Sequence, residues 1–241
     1  MDTMLCEIEQ KGMTMEEETV REACELLDAR AAFYRMLSSL YFTELSEEGI
    51  ESISNKGLDG VSFDDEAIDE GFREIADYLS LRDGSTRQEL AVDFAGSILA
   101  AGSYEKRCAT PYESVFTSES GLLMQDARDD VYRIFCESHL EVEESLRMPE
   151  DHLSFELEFM ARQSEECSSL AREGKVQEAL AALSVQKSFL ERHLLNWIDD
   201  YCDCLDEVAR TGFYKGVSKI TRGFVKADEG SIEDIALALG R

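Results

Sequence analysis

Apolar residues recur every three to four positions along most of this chain, a spacing that predicts a succession of amphipathic helices. The first stripe is Val20, Ala23, Leu27, Tyr34, Leu37 and Tyr41, in a helix ending near Phe42. Ala67 to Leu81 and Thr86 to Ala101 keep the same period. A further helix is expected from about Gly121 to His139, with Leu122, Val131, Ile134 and Phe135 turned inward. Between these, Gly49 to Phe63, with Asn55, Gly57 and Gly60, reads as loop, and residues 102–118 read as irregular. Pro149 opens another helix, because its fixed φ and missing N–H suit the first helical position. From Lys175 the helical pattern runs to about Arg210 with a kink near Ser184, burying Leu180, Leu183, Phe189, Leu190, Leu194, Trp197, Ile198 and Tyr201. No strand-length run alternates and no hairpin dipeptide separates β-rich runs, so the fold class is all-α, a single helical bundle.

The last long helix divides into two faces. Phe213, Val217, Ile220 and Phe224 form an apolar stripe, and Lys215, Lys219, Arg222 and Lys226 lie about 200° away around the axis. Residues 209–226 contain five basic side chains and no acid. Two uses are open: a solvated face that neutralises neighbouring acids, or a docking patch for an acidic partner.

Composition narrows the partners. With 24 basic and 52 acidic side chains the net charge is −28, which repels nucleic acid phosphates and anionic membranes and favours basic partners. Hydrophobic residues at 44% are enough for a packed core, so the acidity does not imply disorder. The seven cysteines (6, 24, 108, 136, 167, 202 and 204) are odd in number and contain no C-x-x-C pair, which reads as free thiols in a reducing cytoplasm. Neither a signal peptide nor an apolar run long enough for stable membrane insertion is recognised. Residues 1–15 read as a flexible N-terminal tail.

Chemistry-bearing motifs are sparse. The chain has no G-x-S-x-G, H-E-x-x-H, phosphate loop or dinucleotide fingerprint, so neither an enzyme nor a nucleotide or other cofactor is expected. None of the three histidines (139, 152 and 193) follows a Glu by three residues, as a di-iron helical bundle requires. His193 with Asp199, Asp200, Cys202 and Cys204 is a poor metal set, since C-x-C on a helix sends the sulfurs about 200° apart. One of those two thiols is expected buried and the other half-exposed.

The only two prolines each open a dense motif: Pro111-Tyr112-Glu113-Ser114-Val115-Phe116, and Pro149-Glu150-Asp151-His152-Leu153 running into Phe155-Glu156-Leu157-Glu158-Phe159-Met160. The second is apolar around more than one face, which marks a central helix buried between neighbours. His152 in a first helical turn can pair with Glu156, four residues on. Glu150 and Asp151 suit the positive helix end. Whether this cluster caps the helix or meets a ligand is open at this point.

With a third stretch, Phe189-Leu190-Glu191-Arg192-His193-Leu194 then Trp197 and Phe213-Tyr214, these motifs resemble the TorD/DmsD/NarJ-like redox-enzyme maturation chaperones. The resemblance spans roughly residues 20–226. One departure is Asp93-Phe94-Ala95-Gly96-Ser97-Ile98, where Ser97 and Ile98 stand in place of the family's Leu-Phe.

The resemblance implies a TorD-like helical fold with a hinge near 140–150. Its N-terminal portion would span about 16–140 and its C-terminal portion about 149–228, within a domain of 16–228. Residues 229–241 would form a C-terminal tail or short helix. It implies a non-catalytic cytoplasmic protein that binds the twin-arginine leader, the apo form, or both, of a molybdenum oxidoreductase precursor and assists cofactor insertion before export. A leader with two guanidinium groups and an apolar segment asks for carboxylates beside an apolar groove. The expected client-binding residues are Asp93, Phe94, Pro111, Tyr112, Glu113, Ser114, Phe116, Pro149, Asp151, His152 and Glu156. A hinged bundle also permits a homodimer by helix exchange. The competing functions are a structural acidic subunit or scaffold of an oxidoreductase complex and, more remotely, a hydrolase using His152.

Overall fold

Ten α-helices account for most of residues 15–58, 62–63, 65–99 and 109–240, which the computed structural model describes. They are α1 (Met15–Phe42), α2 (Glu47–Ser54), α3 (Glu66–Ser80), α4 (Thr86–Ser97), α5 (Glu113–Thr117), α6 (Asp126–Glu137), α7 (Leu153–Arg172), α8 (Val176–Phe189), α9 (Ile198–Val208) and α10 (Gly212–Leu239). A 3₁₀ turn at Glu144–Leu146 and a π-helical turn at Leu190–Leu194 complete the order. No strand occurs among the described residues; Tyr112 and His152 form a single isolated antiparallel bridge.

Four of the helices, α2, α3, α7 and α10, begin where a side chain answers a free N–H group. Ser46 accepts from the Gly49 N–H at 3.1 Å, with Glu47 and Glu48 in the first turn, so the glycine-bearing stretch expected as loop from Gly49 is helical through Ser54. Asp65 does the same for α3 through the Ile68 N–H. α6 starts only at Asp126, because Gly121 (φ 62°) and Met124 (φ 61°) turn the chain in the left-handed region. Leu122, expected in the core, is therefore exposed. α8 passes straight through Ser184, whose side chain faces water. The irregularity falls later, at the π turn, where the Leu195 N–H reaches back five residues to Leu190 O at 2.9 Å.

Packing interleaves early and late elements. α1 lies along α7, and α3 along α10; these are the two most extensive helix contacts. Glycines bring the second pair close. A Cβ on Gly71 would stand 2.6 Å from Gly216 O, one on Gly216 2.5 Å from Gly71 O, and one on Gly223 2.7 Å from an Ile68 side-chain carbon. Residues 229–239 continue α10 as its last turns and form neither a tail nor a separate short helix. Met15 already belongs to α1, and residues 1–14 of the expected tail lie outside the described residues. Between α6 and α7, where the resemblance implies a hinge, residues 138–152 carry the 3₁₀ turn and two left-handed residues, His139 and Arg147.

A buried charged pair lies at the meeting of four helices. Arg30 on α1 donates through Nε and Nη2 to both oxygens of Asp228 on α10, at 2.6 and 2.8 Å. The Tyr34 hydroxyl donates to the same carboxylate, and Arg30 Nη1 donates to Gln186 on α8, whose amide oxygen also accepts from Ser164 on α7. Three of the basic side chains on α10 are paired with acids at the surface. Lys219 binds Glu70 and Glu74, Arg222 pairs with Asp199, Asp203 and Asp206, and Lys226 holds Asp199. At these three residues the face neutralises neighbouring acids. Cys24, Cys136, Cys167, Cys202 and Cys204 are in no disulfide. Cys202 and Cys204 are both buried, against the expectation that one is half-exposed, while Cys6 and Cys108 lie outside the described residues.

Replacing Arg30 by Ala strands the Asp228 carboxylate in the interior and is expected to cost about 3–5 kcal/mol in urea unfolding. Arg35→Ala removes the half-exposed pair with Glu165 and should cost less than about 1 kcal/mol. Equal losses for the two variants would contradict this assignment.

Candidate functional site

The two proline motifs meet as main chain. Glu113 N–H donates to Asp151 O at 3.0 Å and Leu153 N–H to Pro111 O at 2.8 Å, while the Asp151 carboxylate accepts from the Ser114 N–H at 2.9 Å. These bonds pin the segment with His152 extended, and for that reason α7 begins at Leu153 rather than at Pro149. Pro149 lies upstream, beside Glu150, whose carboxylate is held by Arg128 of α6 at 2.5 and 3.0 Å.

His152 is the N-cap of α7. Its Nδ1 accepts from the Ser154 N–H at 3.2 Å and lies 2.7 Å from the Ser154 hydroxyl. The ring packs edge-on against Tyr112 at 4.8 Å and touches Phe155. Burial pushes the imidazole pKa down to about 3, and the cap itself needs the Nδ1 lone pair. The expected His152–Glu156 pair does not form, because the His152 ring turns to Ser154 and Glu156 turns inward toward Glu113, Asp151 and Trp197.

Glu113, at the start of α5, is buried with both oxygens bound. His193 Nδ1 lies 2.9 Å from Oε2, and Asn196 Nδ2 donates to Oε1 at 2.7 Å. The π turn aims these two side chains: Trp197 Nε1 donates to His193 O at 2.7 Å, and Phe116 packs on the Trp197 and Tyr201 rings. Glu156 is fully buried, and neither of its oxygens has a hydrogen-bond partner. Burial, then the nearby Glu113 and Asp151 carboxylates, raise its pKa well above the usual carboxylate range. Burial also raises Asp151, against the lowering effect of its Ser114 bonds.

The structure thus gathers Pro111, Tyr112, Glu113, Ser114, Phe116, Asp151, His152 and Glu156 at one locus. It does not bring Asp93 and Phe94 there. Asp93 instead holds the turn just ahead of α10, accepting from the Arg210 and Thr211 N–H groups and from the hydroxyl of Thr211, the N-cap of α10, at 2.6 Å, and Phe94 packs near Tyr214. Sequence reasoning left His193, Asn196 and Trp197 out of the site. The usable signal was His193 lying on the buried stripe of Phe189, Leu190, Leu194 and Trp197, a polar side chain in need of an interior partner.

Beside the locus, Phe155 lines a surface cavity of about 280 Å³ with Phe135, Leu140, Val142, Leu146 and Phe159; Glu141, Glu143 and Glu158 also border it. Among the described residues no group of three His, Cys, Asp or Glu side chains is arranged to hold a metal ion, and no helix is long and apolar enough to cross a membrane.

His152 gives a pH signature. Its folded pKa is depressed, so its contribution to stability is fully present above the ordinary 6.5 and is lost as pH falls toward 3. The slope approaches about 1.4 kcal/mol per pH unit for one proton. His152→Asn keeps a capping acceptor without the titration, and its unfolding free energy between pH 7 and 5 should fall less steeply than that of the parent. Parallel profiles would remove His152 as the source.

Comparison with known proteins places this geometry. Residues 64–203 match the family model described as nitrate reductase delta subunit. The chain is 29% identical over 206 residues to the chaperone protein TorD of Vibrio parahaemolyticus, covering 83% of this chain and 93% of that one. It is 28% identical over 216 residues to TorD of Vibrio cholerae strain O395 (87% and 94%), and 30% over 207 residues to TorD of Photobacterium profundum (83% and 93%). These relatives are named as chaperones and not as enzymes. The match from α3 to α9 takes in both proline motifs and the π turn that joins them, and this chain belongs to the TorD/NarJ family of redox-enzyme maturation chaperones.

Proposed function

We propose that this protein binds the precursor of a molybdenum-containing oxidoreductase in the cytoplasm, through its twin-arginine leader and its apo form, and assists cofactor insertion before export. The observation that carries this is the convergence of three sequence-distant motifs on one acidic locus beside an apolar cavity, in a chain similar to TorD chaperones over most of its length. A leader's apolar segment suits the wall of Phe135, Leu140, Val142, Leu146 and Phe155, and its guanidinium groups suit the acids around it. The net charge of −28 favours such a partner and disfavours nucleic acid.

In this form Glu113, Asp151, His152 and Glu156 are buried, with exposures of 2, 0, 2 and 0%. Their first role is therefore to build the locus, and direct contact with a client requires α5 to move. The cavity beside them is open as it stands.

Affinity capture should recover the precursor of a co-encoded molybdenum oxidoreductase, and removing its leader should abolish or strongly weaken the association. Calorimetry with a synthetic leader should give binding that weakens between about 0.1 and about 1 M salt, as surface charge is screened. Capture of the mature, cofactor-loaded enzyme in preference to its precursor would favour a structural subunit instead.

A further inference from the structure

The turn between α5 and α6 puts three large apolar side chains in a row into water: Leu122, Leu123 and Met124 are 61, 42 and 58% exposed. Among the described residues no other exposed large apolar side chains are neighbours in sequence; the rest stand singly, as scattered surface residues commonly do. An exposed run of three adds nothing to the core and invites aggregation, so it marks a contact surface. The segment is held in that posture from both sides. The Gly121 N–H donates to Ser118 O at 3.2 Å, the Gln125 side-chain amide donates to Leu123 O at 2.8 Å, and the Gln125 N–H reaches the Ser114 hydroxyl of α5 at 3.3 Å. Met124 sits at φ 61°, in the left-handed region that glycine takes freely and a larger residue takes only at a steric cost.

Charge around this tip limits what can cover it. Glu119 and Asp126 flank it in sequence, both exposed, and among the described residues no Lys or Arg pairs with either. Arg128, two residues past Asp126, is engaged by Glu150 and Asp129. A second copy of this chain, with its net charge of −28, would bring like charges together here. A partner with Lys or Arg around an apolar pocket answers both the side chains and the acids. None of the three residues lines the cavity beside Phe155, and tip and cavity lie at opposite ends of α6, separated by roughly 14 Å of helix from Asp126 to Phe135. A turn that presents side chains seats in a pocket of a folded surface, whereas an extended leader needs a groove.

We propose that Leu122, Leu123 and Met124 form a second client contact, which docks in an apolar, basic-rimmed pocket on the folded body of the precursor while the leader occupies the cavity. This rests on the client-binding function proposed above and adds a surface that reads the body of the client rather than its leader. Two contacts on one client act as linked modules, so that a modest contact at the tip raises the affinity of the whole complex. The flexible Met124 side chain lets the tip adapt to the shape of its pocket.

The test titrates two probes against the full chain. One is a synthetic peptide with two adjacent arginines followed by an apolar run of about ten residues; the other is the leader-bearing apo precursor of a co-encoded molybdenum oxidoreductase. In the triple variant Leu122→Ser/Leu123→Ser/Met124→Ser the precursor complex should be weaker by at least about tenfold. Peptide affinity should stay within about twofold of the parent, because the tip is remote from the cavity. A second variant, Glu119→Lys/Asp126→Lys, leaves the apolar tip whole and should also weaken the precursor complex, with a flatter salt dependence. Unchanged precursor affinity in the serine variant overturns this inference and leaves the client-binding function standing. Equal loss of peptide and precursor by a folded serine variant would make the tip part of the leader site and overturns it too, as does a parent dimer that the same variant splits. Precursor binding unchanged or tightened by the lysine variant overturns the basic-rimmed pocket. Failure of the parent to bind either probe overturns the client-binding function itself.

Discussion

A charge in a protein interior has to be answered within it, and the Arg30–Asp228 pair sets the terms for the rest of the molecule. Arg30 uses Nε and both terminal nitrogens, and Asp228 takes Tyr34 as well, so α1, α8 and α10 are fixed in rotation and in height relative to one another. Gln186 extends the network to Ser164 on α7. Such a network adds little net stability over a well-packed apolar core, but it admits very few arrangements of the helices that contribute to it. The extended α1–α7 contact then places the start of α7 beside the end of α1, where Ser38 donates to Ser154 O.

On that frame the site is assembled by main chain before side chains. The exchange between Pro111–Glu113 and Asp151–Leu153 brings together segments nearly forty residues apart, a spacing read from bonds such as Ser114 N–H to Asp151. Once these are docked, Glu113 can lie only inward, against His193 and Asn196. The π turn supplies the matching adjustment on the other side, since its extra residue rotates His193 and Trp197 relative to the regular α8.

Most of the helices were legible because their core faces repeat with the helical period; α3 differs from its expected bounds by a residue at each end. The failures have separate causes. Helix α2 was hidden because Gly49 and Asn55 suggested a loop while the Ser46 cap outweighed them. Pro149 looked like a helix start because proline tolerates that position, yet the competing pairing of Asp151 and Leu153 with the other proline motif delayed the helix by four residues. The locus was half legible. Tyr112, Glu113, Asp151, His152 and Glu156 were marked by motif, whereas His193 and Asn196 depend on a π turn that no periodicity announces. Asp93 carried the right signal for a buried acid, but its partners are Arg210 and Thr211 just ahead of α10, a pairing that sequence distance concealed.

The glycine crossing of α3 and α10 has a mechanical meaning. With backbone against backbone at Gly71 and Gly216, neither helix has room to slide or roll past the other, and even one added methyl would have to pry them apart. The crossing acts as a rivet between an early and a late part of the chain. Compliance must then reside elsewhere, in the short α5 and the irregular connection ahead of α7, and these are the pieces that stand over and beside the buried acids.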